Sequence, residues 1–192
     1  MAVSESPAAV VRQTDRIFFG TMAIVILAIV FVGFMRTFYL ASHFGRPALD
    51  PLRVVHGTAF TSWVLLFAVQ TSLIAVGRRN LHRKFGYAGA VLAALMVPLG
   101  LALAISSARA GHSAPGIPPL RFLIIPVFDM LVFAPLVAAA VWFRNQSALH
   151  KRLMLIATVS LVPAAMARVT GTPAPVARPC SSASRTSSCS AA

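Results

Sequence analysis

Apolar residues occur along this chain in five long stretches, which are separated by short segments rich in Arg, Gly and Pro. The hydrocarbon core of a bilayer is about 30 Å thick, so a helix needs about 20 mostly apolar residues to cross it. Each stretch has about this length and carries few charges. The pattern therefore predicts an all-α protein, an integral membrane helical bundle with about five transmembrane helices. The predicted spans are roughly 17–35, 54–76, 86–107, 120–143 and 152–169.

Polar residues at both termini divide the chain into three predicted parts. Residues 1–16 form a polar N-terminal segment, residues 17–170 form the transmembrane domain, and residues 171–192 form a polar tail. Gly, Pro, Ser, Thr and Ala dominate the tail without apolar periodicity, which predicts disorder. The abrupt change into the tail leaves open that the product is an inert fragment, cut short or read out of frame.

The strongly basic composition predicts membrane topology and no nucleic-acid partner. A net charge of +13 would suggest nucleic-acid binding in a soluble protein,. Here the Lys and Arg residues cluster at the ends of the predicted spans, as topology signals do. The N-terminal segment and the second and fourth loops hold nine of them, the first and third loops hold five, and the tail holds three. This predicts a multi-pass protein of the bacterial inner membrane with a cytoplasmic N-terminus and the lipid bilayer as its partner; protein partners are unknown.

Two histidines occupy the same position in a short internal repeat. The segment LHRKF at residues 81–85 recurs as LHKRL at residues 149–153. Two membrane crossings separate the copies, so both are predicted to lie on the same side. Imidazoles presented by facing helices, such as those of His82 and His150, can hold a haem iron or another metal ion. The competing interpretation is that they only add to basic clusters that bind lipid head groups.

Two polar residues are predicted to lie inside the membrane. Asp129 lies about halfway through the fourth span, where a charged residue costs at least about 2.5–3.5 kcal/mol on insertion scales. Such residues face the bundle interior, so Asp129 is a candidate proton carrier, hydrogen-bond acceptor or member of a buried pair. The alternative is a structural bond to a Ser or Thr. Gln70, in the second span, is predicted to bond to another helix, most simply as a structural contact.

His56 is a weaker candidate for cofactor binding. It lies about one turn inside the second span, and Trp63 lies two turns further along the same face,. A stripe of hydroxyl groups that includes Thr61 lies on the opposite face. Asp129 is predicted to lie at a similar depth to Trp63, where it could meet either of these two faces but hardly both. The alternatives are an interfacial histidine and hydroxyl groups bonded to their own helix.

Several reaction classes lack the residues that they need. The chain has no phosphate-cradling Gly-rich loop, no nucleophile elbow and no His-Glu-x-x-His zinc motif. Only four acidic residues occur, and their placement gives no carboxylate pair for acid–base catalysis,. No hydrolase, transferase or nucleotide-binding motif is present, so the sequence assigns the chain no enzyme class.

The motif residues resemble those of two groups of membrane proteins. They are His56-Gly57-Thr58, Trp63, Gln70, Gly77-Arg78 and the segment LHRKFG at residues 81–86. Together they resemble a family of uncharacterised bacterial multi-pass membrane proteins. More distantly, they are similar to the cytochrome b561 and DUF2306-type proteins, which carry similar His-Arg-x-x-Gly turns before a span. The resemblance covers about residues 30–155.

The resemblance to cytochrome b561 implies a haem site. In that family, histidines on four central helices ligate two haems. Helices three and five supply the ligands of one haem, and helices two and four supply those of the other. By this resemblance His82 and His150 are axial ligands of one haem b. His56 is left without a partner, because the fourth helix carries Asp129 and no histidine, so at most one haem is implied. The favoured function is b-type haem electron transfer; the alternative is a non-redox permease-like or accessory subunit that uses Asp129.

Overall fold

The computed structural model of the protein describes residues 7–113 and 117–170, and these residues form helices joined by short loops, with no β-strand among them. Five helical segments are long and apolar enough to cross a membrane, which confirms the predicted all-α bundle. The tail at residues 171–192, predicted to be disordered, lies outside the described residues. The α-helices are Pro7–Phe34 (α1), Pro51–Ala75 (α2), Arg79–Arg109 (α3), Pro119–Phe122 (α4), Ile124–Trp142 (α5), Ser147–Val159 (α6) and Pro163–Thr170 (α7).

The first helix is longer than the sequence pattern predicted. It begins at Pro7, so part of the predicted polar segment extends the same helix. At its other end it widens into a π-helical stretch, Met35–Tyr39, which closes with a 2.8 Å bond from the Leu40 N–H to the Met35 carbonyl. Such stretches are rare and often occur at functional sites. The chain then turns at Gly45, whose φ of 65° suits glycine,.

Prolines explain the interruptions in the fourth and fifth spans. Pro126 has no N–H to bond to the carbonyl four residues earlier, and the fourth span breaks at Leu123, between α4 and α5,. The fifth span breaks before Pro163, which takes the first position of α7, where its missing N–H costs nothing,. Pro98 and Pro135 lie inside helices that continue through them.

The five spans pack in a closed ring. α1 packs against α2, α2 against α3, α3 against α5 and α5 against α6, and α7 returns to α1. Glycines permit the close approaches. A Cβ on Gly33 of α1 would lie 2.5 Å from the Ala165 carbonyl oxygen on α7, and one on Gly100 of α3 would lie 2.7 Å from the sulfur of Met130 on α5. Small residues at such contacts let helix backbones approach closely.

An apolar core fills the middle of the ring. Its buried side chains come from all five spans, and Met96 and Phe133 are fully buried. Trp63 packs edge to face on Phe133, with ring centroids 5.2 Å apart,. Lipid is as apolar as these side chains, so close packing holds the spans together more than the hydrophobic effect does.

The two ends of the ring carry different polar groups. One end, called the histidine end, contains the start of α1, the loop after α2 and the loop between α5 and α6. The other, called the opposite end, contains the loop before α2, the loop after α3 and the end of α7. His82 and His150 meet at the histidine end. The two copies of the repeat therefore share one end of the bundle, and their position on one side of a membrane stays a prediction.

Candidate functional site

His82 and His150 face each other at the histidine end. His82 lies in the first turn of α3 and His150 in the first turn of α6. Their ring centroids are 6.3 Å apart, and the ring planes make an angle of 83°. Both residues are half-buried. α3 and α6 do not pack extensively against each other. The two imidazole rings therefore meet across the end of the helical bundle.

The ring of His150 is oriented by a main-chain carbonyl. Its Nδ1 lies 2.8 Å from the carbonyl oxygen of Ala140 on α5. A carbonyl can only accept, so Nδ1 donates a proton and the neutral ring presents an unprotonated Nε2. Metal-ligating histidines use this arrangement, because the second bond fixes the tautomer and the direction of the free nitrogen.

His82 is held through α2. The Gln70 side chain donates from Nε2 to the His82 carbonyl oxygen at 3.2 Å, which ties the start of α3 to α2. Gln70 therefore makes the interhelical bond predicted for it. The His82 ring lies beside the main chain of Gln70, and its Nδ1 is buried without a hydrogen-bond partner of normal geometry. Such a buried nitrogen is costly unless another group satisfies it.

An ion pair between α1 and α6 lies at the same end. Lys151 donates from Nζ to Asp15 at 2.5 Å and lies 5.3 Å from the centroid of the Phe19 ring. The pair is partly exposed, so we expect it to contribute about 0–1 kcal/mol. It holds the start of α6, which carries His150, against α1. Sequence reasoning missed this pair, although an acidic residue at the start of an apolar stretch is a signal for a basic partner.

His56 lies at the opposite end of the ring and is not paired with a second histidine. It stacks on Phe60 with ring centroids 4.1 Å apart, and its Nδ1 is buried without a partner. The ring faces the main chain of Leu99 on α3 and interacts electrostatically with Arg168 on α7. Among the described residues no other histidine ring contacts it.

Asp129 lies one turn before Phe133 on α5, and Phe133 is the residue whose ring packs on Trp63 of α2. Asp129 is half-exposed beside the buried stripe of α5. In the part of the chain that the structure describes, its carboxylate has no hydrogen-bond or ion-pair partner. The roles that the sequence suggested for Asp129 therefore stay predictions.

Thr61, in the hydroxyl stripe of α2, bonds to the π-helical stretch at the end of α1. Thr61 donates to the Gly57 carbonyl at 2.7 Å, so it accepts the 2.8 Å bond from the Tyr39 hydroxyl. Tyr39 also stacks on Phe31, with ring centroids 4.7 Å apart. The bond from Thr61 to its own helix is the alternative that the sequence allowed. The bond to Tyr39 was not predicted, since hydropathy does not show how the end of α1 turns towards α2.

The donor set at the histidine end suits a haem better than a bare metal ion. The described residues contain no group of three or more His, Cys, Asp or Glu side chains that could hold a metal, whereas structural zinc sites use four ligands. A haem provides its own equatorial nitrogens and takes axial ligands from the protein. Two histidines could therefore complete a haem, and His82 and His150 are the pair whose rings lie together, with centroids 6.3 Å apart.

Comparison with known proteins adds no further assignment. No protein-family model, curated protein or solved structure matches this chain. The resemblance of the motif residues to cytochrome b561 stays a prediction. The functional assignment depends on the geometry and the donor chemistry of the two histidines.

Proposed function

We propose that this protein is a multi-pass membrane electron carrier that holds one b-type haem between His82 and His150. One observation carries the proposal: the two rings face each other 6.3 Å apart and nearly perpendicular, at one end of the bundle. A haem with two axial histidines supplies one-electron transfer. The donor set supports a haem because two histidines alone do not complete the coordination of a structural metal ion.

The residues around the two histidines position the ligands. The Ala140 carbonyl holds His150 in the tautomer that leaves Nε2 free. The Gln70 amide fixes the backbone of His82. Outer contacts of this kind typically change metal affinity by about 10–100-fold when they are removed. The site therefore depends on side chains and carbonyl groups from four of the five spans.

We also propose that the histidine end faces the cytoplasm of a bacterial inner membrane. The segments at this end hold nine Lys and Arg residues, against five in the loops at the opposite end and three from Arg168 onward. Basic residues in short loops favour the cytoplasmic side. In this orientation the haem lies near the cytoplasmic surface, where a soluble donor or acceptor can reach it.

The alternative function, a permease-like or accessory subunit that uses Asp129, has weaker support. A proton path needs a series of titratable groups or water across the membrane. Among the described residues, no second titratable side chain bonds to Asp129. We therefore favour the haem site, which brings together two groups of the right chemistry.

Absorbance spectra test the proposal. The full chain, purified in detergent from cells supplied with a haem precursor, should show a Soret band and sharp α and β bands on reduction. His82→Ala and His150→Ala should each lose the sharp bands. His43→Ala and His112→Ala, which alter exposed loop histidines, should keep them. A helical but colourless wild-type protein would refute the proposal, as would an equal loss in the loop variants.

A further inference from the structure

A narrow groove between α1 and α2 opens on the outer side of the bundle, close to the histidine end. It has a volume of about 130 Å³. Small residues from both helices form most of its walls, and the lining includes Gly20, Ala23, Ile24, Ala68, Ser72 and Ala75. We propose that this groove holds an acyl chain of an anionic phospholipid, and that Arg78 and Arg79 bind the phosphate of the same lipid.

The shape and lining of the groove suit a lipid chain. A Cβ on Gly20 would meet nothing within 4 Å, and Ile24 and Ser72 are exposed, so the groove is open to the surroundings. The hydroxyl groups of Thr71 and Ser72 donate to carbonyls of their own helix at 2.8 and 2.9 Å, which leaves a mainly apolar lining. A helix with its side chains is about 10–12 Å across. An acyl chain is a single file of methylene groups, so it fits a groove of this volume where a helix does not.

A second hollow begins two residues after the groove ends. It has a volume of about 360 Å³ and is lined by residues 77–81. Two residues of extended chain span at most about 7 Å, so Ala75 in the groove and Gly77 in the hollow are near neighbours. The N–H of Arg78 donates to the carbonyl of Leu73, in the last turn of α2, at 2.8 Å. This bond fixes the hollow against the helix that forms one wall of the groove.

The hollow carries positive charge that the described residues leave uncompensated. Arg78 and Arg79 line it, and both are exposed. Asp15 is the acidic residue of the histidine end in the described part of the chain, and it is paired with Lys151. No side chain caps the first turn of α3, which begins at Arg79. The free N–H groups of a helix start add to the attraction for an anion.

A phospholipid matches the apolar groove and the basic hollow together. Arg16 is exposed on the same face of α1 as Gly20, about 6 Å nearer the histidine end,. It adds positive charge at the level of the membrane where basic pockets between helices bind anionic head groups. A second copy of this chain that docked through the same surface would bring the same arginines together, and like charges repel. The occupant favoured by both parts is therefore a phospholipid with a net negative head group.

Isothermal titration of the purified, delipidated full chain in a non-ionic detergent tests this site. The groove lies between α1 and α2, whereas the facing histidines belong to α3 and α6, so the test needs no haem. One probe is dihexanoyl-phosphatidylglycerol. The second is dihexanoyl-phosphatidylcholine, which has the same chains but no net charge, and the third is glycerol 3-phosphate, which has no chains. Wild type should bind phosphatidylglycerol about tenfold or more tightly than either of the others, because the arginines attract a net negative head group and the groove takes a chain.

Variants of the groove test the chain site. Gly20→Leu should fill the groove and weaken the binding of phosphatidylglycerol about tenfold or more, because the chain loses its apolar contacts. Ala94→Leu is the matched control, since it adds the same side chain at an exposed position of α3, and it should leave binding unchanged. Ser72→Leu, on the other wall, carries the test if Gly20→Leu does not fold. The unfolding temperature without probe checks each variant.

Variants of the hollow test the phosphate site. The double variant Arg78→Gln, Arg79→Gln should lose the preference for phosphatidylglycerol over phosphatidylcholine. The double variant Arg109→Gln, Arg121→Gln removes the same charge from exposed positions at the opposite end, and it should keep the preference. The site is disproved if wild type binds phosphatidylcholine or glycerol 3-phosphate as tightly as phosphatidylglycerol, or binds none of the probes. It is also disproved if a folded groove variant or the hollow variant binds as wild type does, or if a control variant loses as much as its counterpart.

Discussion

Gly33 of α1 lies directly against the main chain of Ala165 on α7, so a Cβ at Gly33 would be 2.5 Å from the Ala165 carbonyl oxygen. This contact closes the ring between the first span and the last. Gly33→Ala should lower the free energy of unfolding by about 1–3 kcal/mol, because backbone cannot move aside as a flexible side chain can. Unfolding in detergent, followed by circular dichroism, measures the change.

Gly20→Ala is the matched control in the same helix. A Cβ at Gly20 would meet nothing within 4 Å. The alanine should leave stability unchanged or raise it by up to about 1 kcal/mol, since alanine favours a helix over glycine. Equal destabilisation by both variants would mean that the effect of Gly33→Ala does not come from the contact between α1 and α7.

The hydroxyl groups of Tyr39 and Thr61 should couple energetically. Their 2.8 Å bond links the π-helical stretch to α2. In a double-mutant cycle of Tyr39→Phe and Thr61→Val, the interaction energy should be about 0.6 kcal/mol and at most about 1.7 kcal/mol. Unfolding of the wild type, the two single variants and the double variant gives this energy. Strictly additive effects would show that the bond does not stabilise the protein.

Gln70 should position the His82 ligand without touching the haem. Gln70→Leu removes the donor to the His82 carbonyl, so haem affinity should fall by about 10–100-fold and the reduced bands should broaden. Thr71→Val is the control, because the Thr71 hydroxyl donates to the Phe67 carbonyl of its own helix, at 2.8 Å. Haem titration and reduced spectra compare the two variants. Unchanged affinity in Gln70→Leu, or an equal fall in both, would exclude the positioning role.

Single cysteines should report the predicted topology. In a Cys180→Ser, Cys189→Ser background, cysteines replacing Asn80 and Asn145 at the histidine end should react with a membrane-impermeant maleimide only after lysis. A cysteine replacing Ser42 at the opposite end should react in intact cells. All three positions are exposed. Labelling of positions 80 and 145 from different compartments would disprove the shared end, and both reacting in intact cells would reverse the proposed orientation.

The position of His82 and His150 at the same end of the bundle could be predicted because a membrane restricts the fold so strongly. In lipid, a single segment can satisfy its own backbone hydrogen bonds only as a helix. The length of an apolar stretch therefore predicts each span. The number of crossings between the two histidines then determines that they lie at the same end. The bond from His150 to the Ala140 carbonyl could not be predicted, because it depends on how α5 and α6 dock.

The orientation of Asp129 shows where sequence reasoning ends. Hydropathy gives the depth of a residue, but neighbouring residues on a helix point about 100° apart. Whether Asp129 or Phe133 meets Trp63 therefore depends on the rotation of α5, which packing decides. Here the close approach of Met130 to Gly100 of α3 accompanies an inward-facing Phe133, and Asp129 lies on the flank.

Ligation of one haem iron by both His82 and His150 is tested most directly by electron paramagnetic resonance of the oxidised protein. The two ring planes make an angle of 83°. Nearly perpendicular axial imidazoles should give a low-spin ferric signal with very large g anisotropy, absent from His82→Ala and His150→Ala. A high-spin ferric signal in the wild-type protein, or purified protein without any haem signal, would contradict this ligation.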